Sequence, residues 1–582
     1  PRADKLSTQC RAYLDALREI ESVVRTQPCE AEMVADAAGV IWLLQARPLA
    51  SPRCDESAVN ALRCRIESKL ETLSPRPPLL GMMPDWNPAE LLGEHPRPLA
   101  RELFDGLITR RAWRIGRAAL GYARIEDIGL LQFHGGRPYV DVRTSFRSLL
   151  PAGLDAEMGE RMVGAYCKRL RTYPEYHDKI EFEVAFTTLT CGIPSEFAVR
   201  YPGLLDDTEL AAFDAALRGP ASATLDSALT DRLLEGFMRD LQLSPPAAEP
   251  ARLRHWLQRL ELRTGVRFAV AARQAFAVDA LLRSAVESGA LDATLWRDFK
   301  QAAARHAVVA ATAAGIDHGH VRAGTFDIAA PARQEFAAHV FAHTAEQDAG
   351  ASGVQTIDGA AAQILRDALC ELGLGIAPDA LLAQYRRVVH AREFGKFVLA
   401  RGVSLALDAL ATLALTRGID RDEAGWLSLA DLLDPVVDRR SLHERVKHAR
   451  EMHAIEARLR MPLLIDDVRL DTIHHIPGQA NWLGRGRVDD VLTMVDAHTH
   501  PDSVPLHAII AIASANPGFD WIFPRRPAAL LTAFGGPNSH MAIRCAEAGV
   551  PALLGVGPEA FRRATGTGRV RIDFEGRTWT TA

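Results

Sequence analysis

The sequence predicts a multidomain chain: a mainly α middle domain with a small β insertion, followed by a C-terminal α/β domain. Three observations carry this reading. The 582 residues exceed what one core holds, since domains usually run about 100–200 residues. From Leu205 to about Lys447, apolar residues recur at helical spacing in a background of Ala, Leu and Arg. After about Met461 short apolar runs alternate with short helical stretches.

Composition narrows the class. Apolar content of 48% and charged content of 24% are those of a globular protein. A net charge of −5 is small for this size and gives no reason to expect nucleic acid or an anionic membrane as partner. The 8 cysteines are scattered without a CxxC pair, which suits a reducing cytoplasm better than a disulfide framework or a zinc site. No uninterrupted apolar run reaches the roughly 20 residues that span a bilayer. The chain begins at Pro1 rather than Met, as a fragment would.

Residues 1–52 predict a helix from about Leu6 to Val24, then an apolar strand from Val40 to Leu44 ending in Gln45-Ala46-Arg47-Pro48. One helix and one or two strands cannot bury a core alone, so this piece reads as the tail of a domain. Residues 53–455 form the middle domain. Two apolar runs around Gly135-Gly136 predict a hairpin over Leu130–Val142. Lys179 to Phe186 alternates, with Ile180, Phe182 and Val184 on one face, and predicts a strand. Pro245, Pro246 and Pro250 break the helices. In residues 456–582, strands are expected at Val491–Val495, Ala508–Ala513, Ala529–Thr532 and Ala552–Gly555. A helix over Met541–Ala548 is stopped by Gly549 and Pro551, and a closing hairpin turns at Glu575-Gly576.

The segment from Leu530 to Pro551 is the most informative. A buried strand ends in Gly535-Gly536, and a helix begins beside His540, preceded by Asn538 and Ser539. A helix N-terminus has unpaired N–H groups and partial positive charge, so it favours a phosphoryl group. Glycines let the backbone approach that group. Imidazole is a nucleophile near neutral pH and leaves readily. Taken alone, the pattern also fits a helix N-cap histidine after an ordinary glycine turn.

The whole run resembles the mobile, swivelling domain of the phosphoenolpyruvate-utilising enzymes, whose pattern is close to GGxxSHxAIxAR-x-x-G-x-PA-x-x-G. Gly535, Gly536, Ser539, His540, Ala542, Ile543, Arg544, Gly549, Pro551, Ala552 and Gly555 supply it; Cys545 departs from the usual alanine. The resemblance implies a swivelling phosphohistidine domain with His540 as the phosphorylated residue, Ser539, Asn538 and Arg544 beside it, and Gly535 and Gly536 as phosphate loop. The stretch from Glu32 to Pro48 is similar to the end of the ATP-grasp domain of the same family. By that resemblance Gln45 and Arg47 contact nucleotide phosphates and Glu32 holds Mg²⁺, while the body of the ATP-grasp domain is missing and supplied in cis or in trans.

Within the family, the middle domain is similar to the glutamine kinase-like branch. The segments His318 to Asp327, Asp85 to Glu90, Arg137 to Arg143, His177 to Glu183, Arg392-Glu393 with Lys396, and Asn516 to Phe523 carry that likeness. No barrel follows at the C-terminus, so the resemblance places the acceptor in the middle domain. Expected acceptor-binding residues are His320, Arg322, Thr325, Asp327, Arg143, Glu181 and Glu183. The reaction implied is ATP to His540 to acceptor, releasing AMP and phosphate. The L-glutamine side-chain amide is the favoured acceptor, in surface-polysaccharide modification. A hydroxyl acceptor such as an antibiotic or sugar, or a carrier protein without activity of its own, are the alternatives. His498 and His500 beside Asp496, and His474-His475, lack a second cluster and are not read as metal ligands.

Overall fold

The computed structural model describes residues 12–13, 15–17, 19–20, 23, 29–36, 39–48, 56–126, 128–300, 302–303, 320–322, 324–330, 359–470, 480–536 and 539–581. The expected N-terminal helix lies largely outside them. The chain forms two compact units, one of Pro1–Pro78 with Ala454–Ile476 and one of Leu79–His453 with Pro477–Ala582.

In the first unit β1 (Cys29–Ala35) pairs antiparallel with β2 (Ile41–Pro48), with an irregularity between Glu32 and Met33. Asp36 ties the turn: its carboxylate accepts from the Val40 N–H (3.0 Å) and the Trp42 indole (2.9 Å). Helix α1 (Glu56–Glu71) buries Leu62, Ile66 and Leu70, a four-residue spacing that makes one stripe, and a two-residue strand, β6 (Leu464–Ile465), comes later in the same unit.

The second unit holds a helical body and a C-terminal sheet. The strands β3 (Leu80–Gly81), β4 (Leu131–His134) and β5 (Arg137–Asp141) pair antiparallel. β4 and β5 form the expected hairpin, with φ of 54° and 76° at Gly135 and Gly136. Helix α2 (Pro88–Leu92) follows Asp85, Trp86 and Asn87, three successive residues in the left-handed region. The expected strand over 179–186 is corrected by the structure: Ile180–Val184 is a π-helical turn, closed by the Ala185 N–H on the Ile180 carbonyl (2.7 Å). The alternation is fortuitous, because Ile180 and Val184 are the buried pair and Phe182 is not. Arg200 and Arg169 donate to the Phe182 and Glu183 carbonyls, groups a strand partner would otherwise take.

Two long helices, α3 (Val266–Glu287) and α4 (Pro378–Thr416), pack together at the centre. A Cβ at Gly402 of α4 would lie 2.5 Å from the Leu260 side chain, so only glycine permits this approach. By length and composition α4 is apolar enough to cross a membrane, which the sequence reading did not expect of any segment; 67% of its apolar stretch is buried inside the protein. It is a core helix by that burial.

The C-terminal sheet has the order β13-β12-β8-β9-β10-β11-β7: β7 (Asn481–Leu483), β8 (Arg487–Met494), β9 (Ile509–Ser514), β10 (Ala529–Phe534), β11 (Ala552–Leu554), β12 (Arg569–Asp573) and β13 (Thr578–Thr581). The four strands β8 to β11 run parallel, and antiparallel strands close both edges. Of these seven strands only β7 was not foreseen. Helix α5 (His540–Ala548) buries Met541, Ala542 and Cys545 against Ile510, Ile512 and Leu530.

Candidate functional site

The site is built where β10 meets α5. All six residues of β10 are buried, so the strand is a fixed base for the loop that leaves its C-terminal end. Gly535 has φ +154°, and Asn481 donates to its carbonyl (3.1 Å). Ser539 is the N-cap of α5, its hydroxyl accepting from the Ala542 N–H (3.1 Å), so its side chain is engaged in starting the helix. His540 is the first helical residue. Asn538 lies outside the described residues.

Around His540 the charges are tightly ordered. Its Nε2 is 2.8 Å from Asp520 Oδ1, and its Nδ1 is 3.5 Å from Glu393 Oε2. Arg544, one turn along α5, reaches Asp520 Oδ2 at 3.4 Å and pairs with Glu547. Arg392 pairs with Glu393 at 2.8 Å. His540 is 10% exposed at its side chain. Burial is the largest influence and opposes its charge, but the Asp520 and Glu393 carboxylates together outweigh it and raise the imidazole pKa above the ordinary value. Burial likewise opposes charge on Asp520, and His540 with Arg544 still hold it below the usual carboxylate range. Glu393 is held well below that range: burial opposes, and Arg392 and His540 prevail. Lys396 is pushed down by burial, against the pull of Glu393 and Glu90.

His540 opens on a cavity of about 650 Å³. Besides the charged groups above, its walls carry rings: Trp86, Phe268, Phe276, Phe326, Phe397 and Trp521. Gly536, Ser539, His320, Arg322, Thr325 and Glu181 also line it, so the structure brings these expected residues to one space with His540. Their side chains are not all open to a ligand. Arg322 is 2% exposed and donates to Ser404 (2.6 Å) and Asp408 (3.4 Å). Glu181 is paired with Arg273 and Thr187. The His320 ring stands edge-on to Phe397, centroids 4.5 Å apart.

Three expected acceptor residues do not line this cavity. Arg143 is held by Glu160 at 2.6 Å, Glu183 of the π-helical turn is not among the residues that line the cavity, and Asp327 lines a separate cavity of about 300 Å³ near Arg97. The acceptor reading narrows accordingly. Asp520, Glu393, Lys396 and Glu90 lay in segments the sequence singled out but gave no role; what reveals them is burial of opposite charges against one histidine.

In the first unit, Glu32 and Gln45 are cross-strand partners and both are exposed, so carboxylate and amide stand side by side on one face of the hairpin. Arg47 follows two residues after Gln45 on β2, opposite Glu30. Among the described residues no group of three or more His, Cys, Asp or Glu is placed to hold a metal ion. Asp496 accepts from the His498 N–H and the Thr499 hydroxyl, an ordinary loop turn; His474-His475 lies outside the described residues.

No curated protein matches the chain. Residues 504–576 match the family described as PEP-utilising enzyme, mobile domain, a family of phosphotransferase domains that carry phosphohistidine, and the match spans β9, the glycine loop, His540 and β12.

Proposed function

We propose that the protein is a phosphotransferase in which His540 takes a phosphoryl group from ATP and hands it to a small molecule in the 650 Å³ cavity. The observation that carries this reading is His540 itself: the first residue of a helix, behind a glycine loop, facing that cavity. Held against Asp520, the ring keeps a proton on one nitrogen, which makes it a good leaving group when the other gives up a phosphoryl. Glu32, Gln45 and Arg47 would hold nucleotide and Mg²⁺, the rest of the nucleotide site being supplied in cis or in trans; an exposed carboxylate beside an amide suits that use. Mg²⁺ would neutralise phosphate charge when bound.

For the acceptor, the ring-rich wall favours a hydroxyl compound with an apolar body over L-glutamine; of the residues expected to hold an amino acid, Arg322 and Glu181 are already engaged. Phosphorus NMR with ATP and a panel of aryl alcohols, sugars and L-glutamine separates the readings. A phosphate-ester signal from an aromatic alcohol is expected; a phosphoramidate from glutamine overturns the acceptor choice and leaves the relay standing. A label that remains in His540→Ala overturns the relay.

A further inference from the structure

We propose that Glu90 is the proton acceptor that deprotonates the attacking hydroxyl during transfer from His540, a role resting on the phosphohistidine reading above. Most carboxylates at the cavity are held by a cation and are not free to take a proton. Asp85, Glu181 and Asp279 are paired with Arg117, Arg273 and Lys300. Asp178 has Lys179 at 4.0 Å. Nearer the histidine, Glu393, Asp520 and Glu547 hold Arg392, His540 and Arg544. Among the described residues Glu90 alone of the cavity's carboxylates has no cation in ion-pair contact. Its hydrogen bonds come from neutral donors, the Asn87 amide (3.2 Å) and the Gly536 N–H (3.4 Å).

The same two contacts fix its place. Gly536 belongs to the loop that carries His540, so Glu90 stands on the cavity wall against that loop. Its aim is set by the turn before α2, where Asp85, Trp86 and Asn87 have φ of 56°, 54° and 39°. Three consecutive side-chain-bearing residues in the left-handed region are costly, and such strain gathers where a side chain must be positioned. Glu90 is 3% exposed. Burial lifts its pKa to about 7, against the pull of Lys396, Asn87, Gly536 and His540. A base with that pKa is half ionised at neutral pH and can both take and release a proton.

The charged groups facing Glu90 from packed elements are Lys396 of α4 and His540 of α5. From β5, Arg137 is held by Glu94 and Asp141 caps the helix after it. From the helix Pro98–Phe104, Glu102 accepts from the Leu429 N–H and Arg101 donates to the Pro96 carbonyl. β9 brings no titratable side chain.

The step balances. The acceptor oxygen forms the O–P bond as its proton passes to the Glu90 carboxylate. The N–P bond breaks, its electron pair returning to the ring nitrogen. The other ring nitrogen keeps the proton it shares with Asp520 or Glu393, so imidazole leaves neutral.

Water can serve as the attacking hydroxyl, which allows a test without the natural acceptor. The chain is labelled with phosphoramidate, a phosphoryl donor that needs no nucleotide site, and release of inorganic phosphate is followed from pH 6 to 9. Free phosphohistidine loses phosphate faster in acid, so a release rate that rises with pH, with its midpoint near 7, is the expected and opposite trend. In Glu90→Gln, whose amide oxygen still accepts from Gly536, the rise is expected to vanish and the rate at pH 8 to fall at least about tenfold. Asp178→Asn, at another carboxylate of the cavity, is expected to keep the rise. A Glu90→Gln chain that labels at His540 and retains the rise overturns the proposal. If that variant misfolds, the unmodified chain decides: a flat or falling profile overturns it. A chain that takes no label at His540 contradicts the phosphohistidine reading instead.

Discussion

Two walls of one cavity are built from different chemistry. On the α5 side the charged groups are paired around His540: Asp520 and Glu393 hold it, Arg544 and Arg392 hold them, and Lys396 lies among the carboxylates. On the α3 side Phe268 and Phe276, with Phe182 from the π-helical turn, stand beside Arg273 and Asp279, which are taken by Glu181 and Lys300; Phe182 and Phe276 have ring centroids 5.4 Å apart. Buried charges are costly unless paired, so the first wall is specified residue by residue. Aromatic walls are defined by shape and tolerate exchange. Under the proposed relay the difference is a division of labour: one wall would do the transfer chemistry and the other would choose the molecule.

The largest effect is expected from removing the cation among the carboxylates. Lys396→Met leaves Glu393 and Asp520 with less compensation and removes a charge beside the travelling phosphoryl. Discharge of labelled His540 is expected to slow by roughly 10²–10³-fold, read as phosphate release. An unchanged rate would make the ionic wall a structural feature only.

Next comes Glu90. Its carboxyl pKa is raised from 4.5 to about 7 by burial, so its favourable contribution to folding is full below 4.5 and is lost as pH rises through 7. Glu90→Gln removes that loss. Relative to the unmodified chain, its denaturant stability is expected to gain about 3 kcal/mol between pH 4.5 and 8, as an upper bound. Equal pH dependence of the two chains would contradict the burial of an ionising group there.

Asp520→Asn is expected to act more mildly. Burial then prevails at His540 and its pKa drops below the ordinary histidine value, which selective labelling of histidine and an NMR titration would read. Less of the ring is protonated near neutrality, and discharge slows by about tenfold, equivalent to about 1.4 kcal/mol. A titration unmoved by the change would remove Asp520 from the mechanism.

The smallest effect belongs to the aromatic wall. Phe276→Ala is expected to raise the half-saturating concentration of an aromatic acceptor by a few-fold to about tenfold while His540 labels normally. A loss of labelling instead would show that the two walls are not separable.

How much of this was legible in sequence follows the same division. The parallel strands, the Gly535-Gly536 turn and the helix at His540 are local patterns, set by burial on both faces, by backbone freedom and by the N-cap at Ser539. They could be read in order along the chain. The π-helical turn at Ile180–Val184 could not, because its carbonyls are satisfied by Arg169 and Arg200 from elsewhere. The charge cluster was hidden for a related reason. Glu90, Glu393 and Asp520 are hundreds of residues apart in part, and each carries no signal of its own until folding buries it beside His540. Arg322 shows the converse: a cation beside glycine and aspartate looked available to a ligand, and the fold gives it to Ser404 and Asp408.

The most direct test of the central claim is to label the chain with phosphoramidate, map the site by mass spectrometry, and then follow the fate of that phosphoryl group by phosphorus NMR. A single phosphoramidate on His540, acid-labile and base-stable once the chain is denatured, and lost from the folded chain as an aryl alcohol gains a phosphate ester, is the expected result. A label on serine, or a His540 label that never reaches any acceptor faster than it does in the unfolded chain, would contradict it.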